Sequence, residues 1–294
     1  MGPSLHKVSG RRKGTNFFAT ALVTLSFCIA LAPLVWVLYT VISKGLPYVL
    51  NADWWQKSMA GTVGTRMGGG AYHAIYGTLI QALMAAVIAV PIGILIAVYL
   101  VEYGKRSWLA KMATFMVDIL SGVPSVVAAL FIYALWITTF GMPRSGFAVS
   151  LALVLLMMPI VVRTTEELLK IVPDELREAS YALGIPKWKT IVKIVLPTAL
   201  SGILTGIMLA IARIMGETAP VLILVGYTQF INYNPLSGNM ASLPLLMNDQ
   251  WGGNPNTDVA DARIWGAAIT LIGIIMLLNL IATTIARFTR VKTR

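Results

Sequence analysis

What most restricts this chain is a series of long stretches almost free of charge. Residues 17–42, 75–99, 147–162 and 264–286 contain no Asp, Glu, Lys or Arg. Residues 113–140 carry only Asp118, and residues 198–225 only Arg213 and Glu217. A helix needs about 20 apolar residues to cross the hydrocarbon core of a bilayer. Inside lipid the backbone must satisfy its own hydrogen bonds, which selects helices over open strands. The expected fold class is an all-α integral membrane protein with six transmembrane helices in one membrane domain, residues 17–286. Composition agrees, since 12% of the residues are charged against about 25% in soluble domains.

The 23 Lys and Arg residues are unevenly distributed between these stretches. With the N-terminus inside, seventeen fall in inner segments (1–16, 102–112, 163–197 and 287–294), five in outer loops, and Arg213 within a span. Cytoplasmic segments hold the excess of basic residues, so both termini are expected in the cytoplasm, as basic tails at 1–16 and 287–294. The net charge of +11 then reflects orientation in a lipid membrane and not nucleic-acid binding, because basic patches interleaved with aromatics are missing. The first stretch follows Lys7, Arg11, Arg12 and Lys13, and Ala30-Leu31-Ala32 imitates a signal cleavage site. Its apolar run continues past Pro33 to Ile42, longer than a signal h-region, and is read as a span. Cys28 is the single cysteine, which excludes disulfides and cysteine metal sites within the chain. His6 and His73 have no partner at metal-ligand spacing.

Two outer loops, 43–74 and 226–263, are rich in Gly, Asn, Pro and Trp. Gly68-Gly69-Gly70 and Gly252-Gly253-Asn254-Pro255 mark turns, and residues 243–251 are expected as a short surface helix. Such loops either receive an extracytoplasmic partner or merely connect spans.

The inner segment 163–197 has its own helical pattern. Pro173 suits a first turn, with Asp174 and Glu175 at the positive end of the helix dipole. Leu176, Ala179 and Leu183 recur on one face. Gly184-Ile185-Pro186 ends that helix, and a second follows with Trp188, Ile191, Val192 and Val195 apolar and Lys187, Lys189 and Lys193 polar. Two readings fit this pair: a helix lying on lipid headgroups, or one presented to a cytoplasmic partner's groove. Glu178-Ala179-Ser180, three residues to Gly184 and nine more to Ile194-Val195-Leu196-Pro197 resembles the EAA motif of ABC-importer permeases, with Ser180 replacing one small residue by another. The resemblance implies a type I importer permease fold. It also implies that Glu178, Ala179, Ser180 and Gly184 belong to a cytoplasmic coupling helix that docks on an ATP-hydrolysing subunit. The chain is not expected to be an enzyme, because it lacks the Gly-x-x-x-x-Gly-Lys-Ser/Thr phosphate cradle. ATP and Mg would be used by the partner, with no cofactor bound here.

Arg213 and Glu217 lie mid-way along the fifth expected span, where a charge costs at least about 2.5 kcal/mol to insert. Four residues apart, they share a helix face and can pair. Either the pair neutralises itself so that the span inserts, or the guanidinium lines an anion path, since its planar fork matches oxyanion oxygens. Gly202, Gly206, Ala210 and Gly216 on the same helix allow close approach and are read as a pore-facing or dimer-facing surface. Arg163 is either a positive-inside anchor or a second anion contact. Asp118 reads as a cap or a partner for a neighbouring helix.

Arg213-Ile214-Met215-Gly216-Glu217-Thr218-Ala219-Pro220 resembles the Arg-x-x-Gly-Glu-Thr-Ala-Pro signature of phosphate-specific ABC importer permeases. Residues 159–167 (Pro-Ile-Val-Val-Arg-Thr-Thr-Glu-Glu) and 121–127 (Ser-Gly-Val-Pro-Ser-Val-Val) resemble two further segments of that family, so the likeness covers residues 70–290. It implies a multi-pass protein of the bacterial cell membrane. Its partners would be a second homologous permease, a dimer of ATP-binding subunits and an extracytoplasmic phosphate-binding protein, with Arg213, Glu217 and Arg163 along the anion path. Rival readings are an importer for another oxyanion (phosphonate, sulfate or molybdate), a phosphate-signalling membrane scaffold, and a membrane enzyme using Glu166, Glu167 and Asp118. The last has no nucleophile–base or metal spacing behind it.

Overall fold

A computed structural model describes residues 10–62, 66, 68–104, 107–253 and 257–289. Lys7, His6, Lys105, Arg106 and the basic residues after 289 lie outside the described residues. Among the described residues the secondary structure is helical, with no strand. Helix α1 (Gly10–Val49) leads to the short α2 (Ala52–Gln56), then α3 (Tyr72–Val98), which continues through a wider turn, Tyr99–Tyr103. Next come α4 (Trp108–Ser121), α5 (Ser125–Ile132) with a wider turn at Tyr133–Thr139, and α6 (Gly146–Ile171). Helix α7 (Asp174–Ala182) and α8 (Lys187–Thr190) precede α9 (Leu196–Met215), joined to α8 by Ile191–Val195. The chain ends with α10 (Ala219–Leu224), α11 (Leu243–Gly253) and α12 (Thr257–Thr289).

Five of the described helices are long and apolar enough to span a membrane, and six spans result if α4 and α5 count as one. That third expected span is not straight. It breaks at Gly122-Val123-Pro124, where the helix bends by 109°. Pro124 has no N–H to donate, and a proline pushes its preceding residue toward extended backbone. The fifth expected span also breaks: α9 stops at Met215, and α10 restarts with Pro220 in its first turn. Arg213 therefore stands in the last turn of α9 and Glu217 in the break, not mid-helix. At the other end of the fourth span, α6 runs on to Ile171, so residues 163–171 extend that helix and are not loop.

The core forms around α6. In its most apolar stretch 61% of the residues are buried, whereas that of α1 holds no buried residue. Helix α3 turns a stripe of small residues, Ala82, Ala85, Ala89, Gly93 and Ala97, toward the core it shares with Val161, Val162 and Met157 of α6. A Cβ on Gly93 would sit 2.8 Å from Val161 Cγ1. Small residues let helix backbones approach where lipid supplies no hydrophobic drive between them. Helix α1 packs along α12 and leaves Phe17, Phe27, Trp36 and Tyr39 open. A helix apolar all round needs a non-aqueous surrounding.

Helix α11 departs from the surface helix expected at 243–251. Leu243, Leu245 and Leu246 are fully buried, and the helix packs against α3 and α12. It seals one end of the bundle with Trp54, whose Nε1 donates to Thr270 Oγ1 at 2.9 Å. The Thr78 hydroxyl accepts from the Leu243 amide at 2.9 Å. Approach is tight here, because a Cβ on Gly77 would lie 1.9 Å from the Ala241 carbonyl oxygen.

Candidate functional site

The helices that follow the breaks after α4 and α9 come together. Helix α5 packs against α10, and both pack against α6. Irregular backbone at membrane depth is tolerated where it lines a cavity or is buried in protein, and a cavity of about 310 Å³ lies here. Ser121 and Val123 line it from the first break, and Arg213 from the end of α9. Helix α6 contributes Pro159, Arg163, Thr164 and Glu167. The three segments that carried the family resemblance, far apart along the chain, thus line one space.

Its two arginines are both engaged. Arg213 Nη1 donates to Glu217 Oε1 at 2.5 Å; the Glu217 side chain is 8% exposed and that of Arg213 61%. The buried carboxylate anchors the pair while the guanidinium stands at the open rim. Arg163 donates to Glu166 Oε2 at 2.9 Å and to Asp118 of α4. Glu166 is buried and also accepts from Lys170 at 2.7 Å. Asp118 thus pairs with a neighbouring helix. Gly202 and Gly206 of α9 pack inside the chain and not on a pore or dimer face, whereas Gly216 lies just past α9 and is exposed. A Cβ on Gly202 would meet Leu168 Cδ2 at 2.5 Å, and one on Gly206 would meet Thr164 Oγ1 at 2.7 Å. They let α9 close on α6, and this packing brings Arg213 to the same cavity as Arg163.

The second feature is the elbow at the opposite end from α11. Gly184 has φ +73°, the left-handed region that glycine enters without steric cost. Glu178 and Ala179 are exposed, as are Leu176, Tyr181, Leu183 and Trp188, so the apolar face of α7 is uncovered. Ser180 is buried, its hydroxyl 2.8 Å from that of the fully buried Thr190 of α8. A bond across the elbow is therefore made by Ser180.

Sequence reading passed over the elbow's anchor. Arg177 Nε and Nη2 donate to Glu102 Oε1 at 3.0 and 2.9 Å, and its Nη groups also reach the Val172 and Leu169 carbonyls at 2.6 and 3.0 Å. Lys187 donates to the Glu102 carbonyl and lies over the Tyr103 ring. Both Arg177 and Glu102 are largely buried, with side chains 12% and 5% exposed. Their separation of 75 residues left no local spacing to read. Removing Glu102 takes away the buried counter-charge of Arg177 but leaves Asp174 at 3.1 Å and the two carbonyls, so the cost falls below the about 3–5 kcal/mol of a fully stranded charge. Glu102→Ala should lower the unfolding temperature of the purified protein by several degrees; an unchanged value would show that the elbow is held by other contacts.

A multi-span helical bundle whose broken helices line a charged, open cavity, with an exposed amphipathic elbow at one end, has the build of a membrane transport permease. Residues 89–292 match the family model described as binding-protein-dependent transport system inner membrane component. The chain is 56% identical over 277 residues to the phosphate transport system permease protein PstA of Mycobacterium leprae (strain TN), covering 94% of this chain and 90% of that one. It is 39% identical over 282 residues to PstA of Yersinia pestis, covering 96% and 93%. The fold resembles an inward-facing structure of the MetNI methionine ABC transporter, with TM-score 0.58 at 19% identity over 75% of this chain and 94% of that one. It also resembles a bacterial ABC transporter involved in alginate import, with TM-score 0.62 at 12% identity over 94% and 96%. The chain belongs to the binding-protein-dependent transport permeases and, within them, to the PstA type.

Proposed function

We propose that this chain is one of two permease subunits of an ATP-driven importer of inorganic phosphate. The observation that carries the reading is the cavity shared by Arg163 and Arg213. Guanidinium groups offer planar, paired donors suited to phosphate oxygens. The relatives named as phosphate transport permeases support that anion over other oxyanions. Both arginines are engaged by carboxylates, so an incoming anion competes for its donors and is held weakly. Weak holding suits a path whose tight capture belongs to a separate phosphate-binding protein.

In this reading the termini and the α7–α8 elbow face the cytoplasm of a bacterial cell. There the exposed apolar face of α7, with Glu178, Ala179 and Gly184, docks on a dimer of ATP-binding subunits. ATP and Mg²⁺ are consumed by those partners, and this chain is not catalytic. The α11 end receives the binding protein, and a second, homologous permease completes the path by alternating access.

Purification from membranes in mild detergent should bring down an ATPase and a second multi-span chain. Proteoliposomes holding the complex and its binding protein should accumulate radiolabelled phosphate on addition of ATP, with sulfate, molybdate and phosphonate competing poorly. Preferred uptake of one of those competitors would reassign the substrate. Loss of phosphate-dependent gene control with uptake intact would favour the signalling role.

A further inference from the structure

The Arg163–Asp118 pair lies on the boundary between two cavities. On one side is the space shared by Arg163 and Arg213. On the other is a second cavity of about 380 Å³, lined by Ser107, Lys111, Thr114 and Asp118 of the α4 segment and by Glu166 of α6. The order along both helices places the pair between them. On α4 the second cavity takes residues up to Asp118, while Leu120, Ser121 and Val123 line the first. On α6 the first cavity takes Pro159, Ile160 and Arg163 before Glu166 reaches the second. Asp118 borders one space, Arg163 borders the other, and their charged groups are hydrogen-bonded to each other.

We infer that Asp118 is a displaceable counter-anion that closes the passage between the two cavities and holds Arg163 until a transported anion takes its place. This rests on the transport reading above and assigns a gating role to a residue that the reading leaves as a helix partner. The two partners of Arg163 differ in kind. Glu166 is buried, sits three residues away on the same helix and is also tied to Lys170. Asp118 is 59% exposed, sits on another helix, and has no other described side-chain ion pair. An oxyanion reaching the guanidinium therefore displaces Asp118 in preference to Glu166. Release of Asp118 removes the charged tie between α4 and α6, which stay packed through their apolar residues, and opens the way to the cavity that holds Lys111 and Thr114. The guanidinium keeps an anionic partner throughout the exchange, so the passage never presents a bare cation to lipid, and the released Asp118 carboxylate is 59% exposed.

The test uses the assembled transporter in proteoliposomes loaded with radiolabelled phosphate. Wild type must first accumulate phosphate with ATP; failure here would overturn the phosphate reading itself, apart from the latch. Without nucleotide, Asp118→Asn should then leak phosphate at least about tenfold faster than wild type while still hydrolysing ATP. Asp118→Glu, which restores the carboxylate, should return the leak toward the wild-type rate. A merely structural role would not produce a leak that responds to charge. Should the Asn variant fail to assemble, Asp118→Ser removes the same charge and carries the same expectation. An assembled, charge-removed variant as tight to phosphate as wild type would overturn the proposal.

Discussion

Arg213→Ala should cut ATP-driven phosphate uptake at least about tenfold while the transporter still assembles. The guanidinium is mostly exposed at the rim of the cavity, so its loss disturbs little packing. Losing one charge-assisted contact of about 1.5–3 kcal/mol corresponds to a tenfold to hundredfold drop in rate if it is made in the rate-limiting state. The single change also leaves Glu217 buried without its cation, which is a structural penalty of its own. The double variant Arg213→Ala/Glu217→Ala separates the two effects. It removes the stranded carboxylate and should match wild type in assembly and unfolding temperature, yet uptake should stay low. Normal uptake by the double variant would mean that the pair serves only to insert the helix. Arg213→Lys keeps the charge but not the fork, and should retain part of the rate.

Gly184→Val should break the link between ATP hydrolysis and transport. At φ +73° a residue with a Cβ costs about 1–2 kcal/mol, and a β-branched one is the worst case. No heavy atom lies within 4 Å of a Cβ built there, so the penalty is backbone strain and not a clash. The chain relieves it by leaving the left-handed region, which swings α7 relative to α8 and parts Ser180 from Thr190. The spans do not depend on that turn, so their unfolding temperature should change little. The readout is hydrolysis without uptake, or loss of the ATPase on purification. Gly184→Asn should be mildest and Gly184→Ala intermediate, because Asn tolerates positive φ. Coupled transport by the Val variant would remove the elbow from the energy pathway.

Much of the architecture was legible in the chain because lipid imposes a one-dimensional rule: a crossing helix must be long and uncharged. The stretches at 17–42, 75–99, 147–162 and 264–286 obey it, and each lies within or largely overlaps a long helix. The two stretches that carry charges, at 113–140 and 198–225, are those that break. Gly122, Pro124, Gly216 and Pro220 were visible there, but an apolar count weighs composition and not continuity. Helix α11 was found in the right place with the wrong surroundings, since its weak amphipathic pattern does not tell which neighbours cover it.

For the candidate site the division is sharper. By itself the sequence determined a helical chain in lipid, the residue types suited to an oxyanion, and a glycine elbow, because these depend on local composition and short spacings. Only the tertiary structure decided that Arg163 and Arg213 share one cavity, that Asp118 closes onto Arg163, and that Arg177 fastens the elbow to Glu102. Those relations join residues 45 to 75 positions apart or rest on the close approach of α9 to α6. Pairing over such distances is set by how helices pack, and periodicity along one helix carries no information about its neighbour.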